Sequence, residues 1–444
     1  MPTYSPAGRP IIRSHTRFLR NISTLLCILC CLLATGCTTT QAMVSGVAVD
    51  TTLNVEEKFA ALGFPEVTIS YPTVYYDGPE WRDRLTELVE GAEDYIILVA
   101  FLASECDENQ AVYDAICRKA DEGVDIWLLI DGTSSFDMTE SRYHMRTLGR
   151  LREHGVHLFE YNPISIDRLV GTVNLLYREH RKIVVVDGET AVLGGMNINY
   201  ISMGDSTSAA KGQRDMMFEV FSPDLSSRLA DDFITVWNTL SWEEIPEGRF
   251  SNARPSSAAI EKPLAAWYVD QSGRDHTMSS LYGALINSAE TSIALLPFLP
   301  YCDKFMLQAL ENAVDRGVEV TMIMPFDSRP SNRKASQYMV KDILETGVDV
   351  RRENESEEFL PLLHEKLMVV DGLYTVVGSS NFNYRSMNLS SEVVMVVKDE
   401  SFAVQMSDHF EELRDNTRSI SEEEADSWRN VGAFIAFLGG FFGG

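Results

Sequence analysis

Apolar runs and amphipathic stretches alternate along this chain, and they do so twice. Ala92-Glu-Asp-Tyr-Ile-Ile-Leu-Val-Ala-Phe101 and Ala289-Glu-Thr-Ser-Ile-Ala-Leu-Leu-Pro-Phe298 are both suited to a strand buried on two faces. An amphipathic stretch follows each. It closes on a glycine before the next apolar run, at Asp121-Glu-Gly-Val-Asp-Ile126 and Asp315-Arg-Gly-Val-Glu-Val320. Gly155-Val156 and Gly347-Val348 repeat the punctuation. Strand-helix-strand-helix order predicts an α/β sandwich with a largely parallel sheet in each half. The segment from Pro246 to Pro263, rich in Ser, Ala and Pro, reads as a linker. The pattern thus predicts a first half at 56–245, a linker at 246–263 and a second half at 264–430. Each half is long enough to bury a core.

The two ends break this pattern. Arg13, Arg17 and Arg20 precede an apolar run from Leu25 to Leu33, the layout of a secretory signal. The run is too short for a comfortable membrane span. It ends at Leu33-Ala-Thr-Gly-Cys37, which resembles the lipobox of bacterial lipoproteins. That resemblance implies cleavage before Cys37 and acylation of its thiol, with an uncleaved anchor as the alternative. Residues 1–37 are then the signal peptide, and the small, polar residues 38–55 a tether. Thr38 after the cysteine, where Asp would retain a lipoprotein, implies the outer membrane, facing the periplasm. Residues 431–444 are apolar and again too short to span. Two readings stay open for them: a segment packed on the domain, and one that enters the membrane interface or covers a lipid entrance.

Within the two halves lies a polar pattern that the hydrophobic order does not require. His180, Lys182, Asp187, Gly194, Gly195 and Asn197 recur as His364, Lys366, Asp371, Gly378, Ser379 and Asn381, each displaced by 184 residues. Identical internal spacing indicates a duplicated catalytic unit in which each copy supplies half of a site. The β-branched run after His180 reads as a strand, Asp187-Gly188 as a two-residue hairpin turn, and Ala191–Leu193 as the returning strand. Pairing Val186 with Glu189 brings Lys182 opposite Leu193 and His180 opposite Gly195. The second copy places His364 opposite Ser379. Side chains two apart share a face, so His and Lys point together, with the Asn just beyond. Glycine at 194 and 378 fits an exit where a backbone or a phosphate comes close.

An imidazole, an ammonium and an amide, in duplicate, suit the gripping and attack of a phosphoryl group. In this reading one histidine attacks phosphorus to form a phosphohistidine. The other protonates the leaving alcohol and later deprotonates the incoming alcohol or water. Lys182, Lys366, Asn197 and Asn381 hold the non-bridging oxygens, and Ser379 adds a hydroxyl beside His364. Gly195 leaves space beside His180. Asp187 and Asp371 belong to the catalytic pattern by spacing, and as turn aspartates they also suit ordering of the hairpins. The other six histidines (His15, His144, His154, His157, His276 and His409) have no such context. No Cys, Asp or Glu joins them at metal-ligand spacing, so neither a metal nor any other cofactor is expected.

These residues resemble the two HKD motifs of the phospholipase D superfamily. Gly378-Ser-Ser-Asn-Phe-Asn-Tyr-Arg-Ser386 followed by Glu392 is similar to the second-motif signature of bacterial cardiolipin synthases. Gly194-Gly-Met-Asn-Ile198 with Arg214-Asp215 is similar to the first. Asn383 and Ser390 depart from it, standing where those enzymes usually have Asp and Asn. The resemblance covers roughly residues 70–415. It implies two tandem halves packed as a pseudo-dimer with the active site at their interface. It implies His180 as nucleophile and His364 as acid/base, with Asp215 and Glu392 orienting a histidine of the same or the opposite half. The implied function is phosphatidyl transfer from a phospholipid to an alcohol. Hydrolysis to phosphatidic acid is the close alternative, with an exported nuclease or an inactive lipid-binding lipoprotein further off.

Charge narrows these options. The chain has 38 basic and 65 acidic residues. Loss of the four arginines in residues 1–37 leaves a net charge of −31. Phosphate contacts dominate nucleic-acid affinity, so this balance disfavours a nucleic-acid substrate. It equally disfavours broad adhesion to anionic lipid, and acylated Cys37 is the expected membrane link. The composition does not speak to oligomeric state. Of seven cysteines only Cys106, Cys117 and Cys302 lie beyond residue 37. Cys106 and Cys302 hold matching places after the first apolar strand of each half. An oxidising compartment permits a bridge between them, although two unpaired thiols are the simpler reading.

Overall fold

The duplicated pattern folds into two sheets with the same strand order. A computed structural model describes residues 52–133, 144–163, 177–204, 212–250, 260–272, 275–325, 328, 330–354 and 361–440. The signal segment, Cys37, most of the tether, the middle of the linker and the last four residues lie outside these. The first-half sheet runs Thr73–Tyr75, Met217–Phe221, Thr190–Gly194, Ile183–Val186, Tyr95–Ala100, Asp125–Asp131, His157–Tyr161. The second repeats it as Leu264–Ser272, Ser391–Lys398, Tyr374–Gly378, Leu367–Val370, Ser292–Leu296, Glu319–Met324, Asp349–Glu353. Each sheet is mixed rather than largely parallel. Only three neighbouring strands run parallel in each, because the motif hairpin and the strand after it return without a crossover helix, and in the second sheet Thr417–Ser419 adds an antiparallel strand beyond Asp349–Glu353.

Strand Tyr95–Ala100 is buried at every position. Ile96 and Leu98 enter an outer core beneath the helices Gly78–Gly91 and Gln110–Asp121, while Ile97 and Val99 enter an inner one. That inner core is shared. It joins Val185, Leu193 and Phe218 of the first half to Leu367, Val377 and Met395 of the second, with Phe233 and Phe402 from the long helices Pro223–Leu240 and Glu400–Asp415. The halves therefore pack as the expected pseudo-dimer.

Residues near the N-terminus cross between halves. Helix Val55–Ala61 packs in the second-half core, and strand Glu66–Ile69 pairs antiparallel with Leu264–Ser272 at that sheet's edge. The sequence groups both with the first half. Alternation in Glu66–Ile69 marks a strand with one buried face, but nothing in it names the sheet.

Candidate active site

Each motif begins in the segment that leads into its hairpin. The register differs from the simple count by one residue. Val186 pairs with Thr190 and Val370 with Tyr374, so Lys182 falls opposite Gly194 and His180 opposite Met196. The cause lies just past the turn. Glu189 and Leu373 close it through their N–H groups on Val186 and Val370. Their carbonyls, however, accept from Ser222 and Asp399, the caps of the two long helices. Each is thereby drawn out of the ladder.

Asp187 and Asp371 sit at the turn, at the far end of the hairpin from the histidines. Both adopt left-handed backbone, with φ of 51° and 54°. Asp187 accepts from the N–H groups of Glu93, Asp94 and Tyr95 at 2.8–2.9 Å. Asp371 accepts from Glu290, Thr291 and Ser292, and from the Thr291 hydroxyl. Partial burial alone would raise the Asp371 carboxyl, but these donors hold it below its usual range. The motif aspartates therefore clamp the start of strands Tyr95–Ala100 and Ser292–Leu296, and the catalytic role read from their spacing is corrected to this one. Asp371→Ala is expected to cost about 2–3 kcal/mol of stability by releasing charge-assisted bonds. Thermal unfolding measures that loss, while the protein that remains folded keeps its turnover. Loss of turnover without loss of stability would restore the catalytic role.

Both imidazoles are oriented from across the interface. His180 Nδ1 lies 3.0 Å from Glu392 Oε1, and His364 Nδ1 lies 2.5 Å from Asp215 Oδ2. Backbone stitching enforces the exchange. The His180 N–H donates to the Ser391 carbonyl and the His364 N–H to the Arg214 carbonyl, each next to the carboxylate that the ring uses. Leu362–Leu363 also pairs in parallel with Gln213–Arg214. A carboxylate at Nδ1 selects the tautomer with its proton there and leaves Nε2 free for chemistry.

The ammoniums are held beside the rings. Lys182 Nζ donates to the His180 carbonyl at 2.6 Å, and Lys366 Nζ donates to the His364 carbonyl and lies 3.5 Å from Asp215. Burial lowers both histidines to about 4, assisted at each by its own lysine and by the lysine of the other half, and opposed by its carboxylate. Burial likewise lowers Lys182 to about 7 and Lys366 to about 8, against the pull of Glu392 and Asp215. Both carboxyls sit below their usual range: burial would raise them, but the neighbouring cations outweigh it. The two motifs thus form one electrostatic unit containing neutral imidazoles.

The residues beside the histidines are not spare substrate donors. A Cβ on Gly195 would lie 2.1 Å from Asp215 Oδ1, so Gly195 provides room for the partner of His364 rather than space beside His180. Ser379 is fully buried, and its hydroxyl donates to Glu392 at 2.5 Å. It therefore supports the partner of His180 instead of binding phosphate beside His364. The close approaches at Gly194 and Gly378 are backbone, to the Met216 and Val393 carbonyls. Asn197 accepts from the Leu102 N–H at 3.1 Å, whereas the buried Asn381 Oδ1 has no hydrogen-bond partner among the described residues. Asn383 caps the helix Tyr384–Asn388, as Asn199 caps Tyr200–Met203, and Asn serves at that position as well as Asp. The Ser390 carbonyl accepts from Gln271.

Two aromatic rings complete the site. Phe101 lies 5.1 Å from the His180 ring and under the Lys182 ammonium, and Phe298 lies 4.2 Å from the His364 ring and under Lys366. They pack on the imidazole and face the cation. Their signal was present in the sequence, because both close the repeated apolar run, but a strand pattern ends without saying which way its last ring turns. Among the described residues Cys106, Cys117 and Cys302 are free thiols, and no group of three side chains is placed to hold a metal.

The family described as "Cardiolipin synthase, PLD-like domain" matches residues 85–237 and 282–414, which contain both motifs. The chain is 28% identical over 341 residues to a cardiolipin synthase of Alkalihalophilus pseudofirmus, covering 75% of this chain and 64% of that one. It thus spans less than two thirds of that relative. It is 29% identical over 375 residues to a cardiolipin synthase A of Pseudomonas putida, covering 82% and 73%. Among solved structures, a phosphatidylserine synthase of Haemophilus influenzae superposes with a TM-score of 0.65 at 15% identity, covering 87% of this chain and 99% of that one. By its family match over both halves, the chain belongs to the cardiolipin synthase group of phospholipase D-like proteins.

Proposed function

We propose that this protein is a membrane-tethered phosphatidyltransferase that moves a phosphatidyl group from a phospholipid to an alcohol. The observation that carries this reading is the pair of partly buried imidazoles, each oriented by a carboxylate of the opposite half and flanked by a lysine. In the first step His180 Nε2 attacks phosphorus. The bond to the head-group oxygen breaks, and His364 gives its Nε2 proton to the departing alcohol. The anionic substrate offsets the lysine charges that hold His364 neutral, so the ring takes up that proton as substrate enters. In the second step His364 removes a proton from the acceptor alcohol, whose oxygen displaces His180 from phosphorus. Lys182, Lys366, Asn197 and Asn381 hold the non-bridging oxygens. No step requires a metal, so chelation is expected to leave turnover unchanged.

Product analysis with labelled phosphatidylglycerol, with and without glycerol, tests the transfer. Diphosphatidylglycerol formed with release of glycerol, and suppressed by added glycerol, supports it, because a second phosphatidylglycerol is the acceptor; phosphatidic acid as the sole product assigns the hydrolase instead. The pH profile of kcat/KM should be a bell. Its acid limb lies near pH 4, where His180 protonates and loses its nucleophilic lone pair. Its alkaline limb lies near pH 7 to 8, where Lys182 and Lys366 lose their charge. A rate still rising at pH 9 would remove the charged lysines from the reading. We place the protein at the bacterial outer membrane through acylated Cys37. Mass spectrometry of the mature N-terminus checks the acyl group, and an intact residue 1–37 segment would exclude it.

A further inference from the structure

We propose that the C-terminal helix Val431–Gly440 is an interfacial foot that seats the site-bearing end of the second half on a phospholipid bilayer. One side of the helix is committed to the protein. Ala433 is buried, the Phe437 ring lies 4.9 Å from Tyr301 and 4.8 Å from Tyr338, and the Tyr301 hydroxyl donates to the Phe437 carbonyl. The other side is large and apolar: Val431 is 77% exposed and Ile435 64%, and Phe434, whose ring touches Tyr338 at 5.7 Å, is still 44% exposed. These three lie at i, i+3 and i+4, one stripe of a helix. An ordinary surface helix would carry charge there.

The charge pattern selects the occupant. No charged side chain occurs from Asn430 to Gly444, in a chain with 103 charged residues. The body is strongly acidic and would be repelled by an anionic surface, whereas this segment offers nothing to repel. An uncharged apolar stripe matches the acyl boundary of a bilayer, where no partner ion pairs are needed. At ten residues the helix is about 15 Å long. That is roughly half the hydrocarbon thickness, so it lies in the interface and does not span.

Position joins the foot to the chemistry. Tyr301 stands on the loop that leaves strand Ser292–Leu296, and the same loop carries Phe298 against the His364 ring. The loop is stitched to the second motif: the Pro297 carbonyl accepts from Phe382, Tyr301 N–H donates to the Phe382 carbonyl, and Tyr384 N–H donates to the Tyr301 carbonyl. Phe298 holds a left-handed backbone with φ of 60°, unusual for a ring-bearing residue, so this loop has one enforced shape. A helix resting on lipid through Val431, Phe434 and Ile435 is therefore tied through this one loop to the His364 side of the site. The inference rests on the phospholipid reading for its substrate arm but not for its binding arm.

The two arms are measured separately on the full chain. For binding, Ile435→Cys carries an environment-sensitive nitrobenzoxadiazole label, and Val404→Cys, exposed on helix Glu400–Asp415, carries the control. With neutral phosphatidylcholine vesicles the label at 435 should shift to shorter wavelength and be quenched by spin-labelled acyl chains, while the label at 404 should not change. An unchanged label at 435 overturns the foot. A shift that follows protein concentration without lipid overturns it in favour of a second copy of this chain. For turnover, Val431→Glu, Phe434→Glu and Ile435→Glu are combined. The triple variant should lose about tenfold or more on bilayer phosphatidylglycerol, as expected when three apolar anchors are replaced. On monomeric short-chain phosphatidylglycerol it should stay within about twofold, which also shows that it folds. Equal activity on both substrates overturns the foot. Inactivity of the unmodified chain on both would overturn the phospholipid reading alone, with the label still deciding where the helix sits.

Discussion

Replacing His180 or His364 with Asn should lower turnover by about three orders of magnitude or more, as loss of a nucleophile or a proton shuttle does. The two losses should differ in what accumulates. Given a phosphodiester whose leaving group needs no protonation, His364→Asn should still form the phosphohistidine and then resolve it slowly. His180→Asn should form none. Acid-quench trapping and peptide mapping distinguish them. An adduct on His364 in the His180→Asn protein would exchange the roles. The two rings share the same depression to about 4 and have one carboxylate apiece, although Lys366 also reaches His364 Nδ1 at 2.5 Å while Lys182 donates to the His180 carbonyl, and neither feature names the nucleophile. Only the trapped residue does.

The second large effect follows from the exchange of carboxylates. Asp215→Asn in the first half should disable the histidine of the second. Glu392→Gln in the second half should disable the histidine of the first. Each should cost about a hundredfold or more, since an amide no longer enforces the tautomer or stabilises the imidazolium. The phenotypes should cross. Asp215→Asn should accumulate phosphohistidine as His364→Asn does, and Glu392→Gln should form none. The pH profile gives a readout that mere misfolding would not move. Removing the Glu392 carboxylate removes its upward pull on His180, so the acid limb of Glu392→Gln should fall further below pH 4, while that of Asp215→Asn should stay in place. If Asp215→Asn instead blocks adduct formation, the orientation across the interface is not what activates the nucleophile.

Much of this site is legible in the chain because duplication makes spacing informative. His180, Lys182, His364 and Lys366 reach one site as their repeat predicts, and the order of strands follows the apolar runs. What the chain conceals has physical causes. A hairpin count assumes that every residue after the turn joins the ladder, but the Glu189 and Leu373 carbonyls are taken by helix caps, which shifts the register by one. Gly195 looks like open space until Asp215 arrives 20 residues later and fills it. Ser379 looks like a free hydroxyl until Glu392 accepts its hydrogen bond. Asp187 and Asp371 share the spacing of the catalytic residues because the hairpin fixes all of them, not because they share a task. Glu66–Ile69 reads as a strand, but only the three-dimensional pairing reveals that it belongs to the distant half.

That last strand bears on how the protein is made. Glu66 pairs with Trp267, some 200 residues later in synthesis, and the second-half sheet keeps an unpaired edge until the two meet. At ribosomal rates of about 5–20 residues per second the early strand waits on the order of ten seconds or more. In that interval the first half can collapse, but it lacks Glu392, the carboxylate that orients its own histidine. Maturation is thus tied to the arrival of the last strands, so neither half can hold a working histidine until nearly the whole polypeptide has been made.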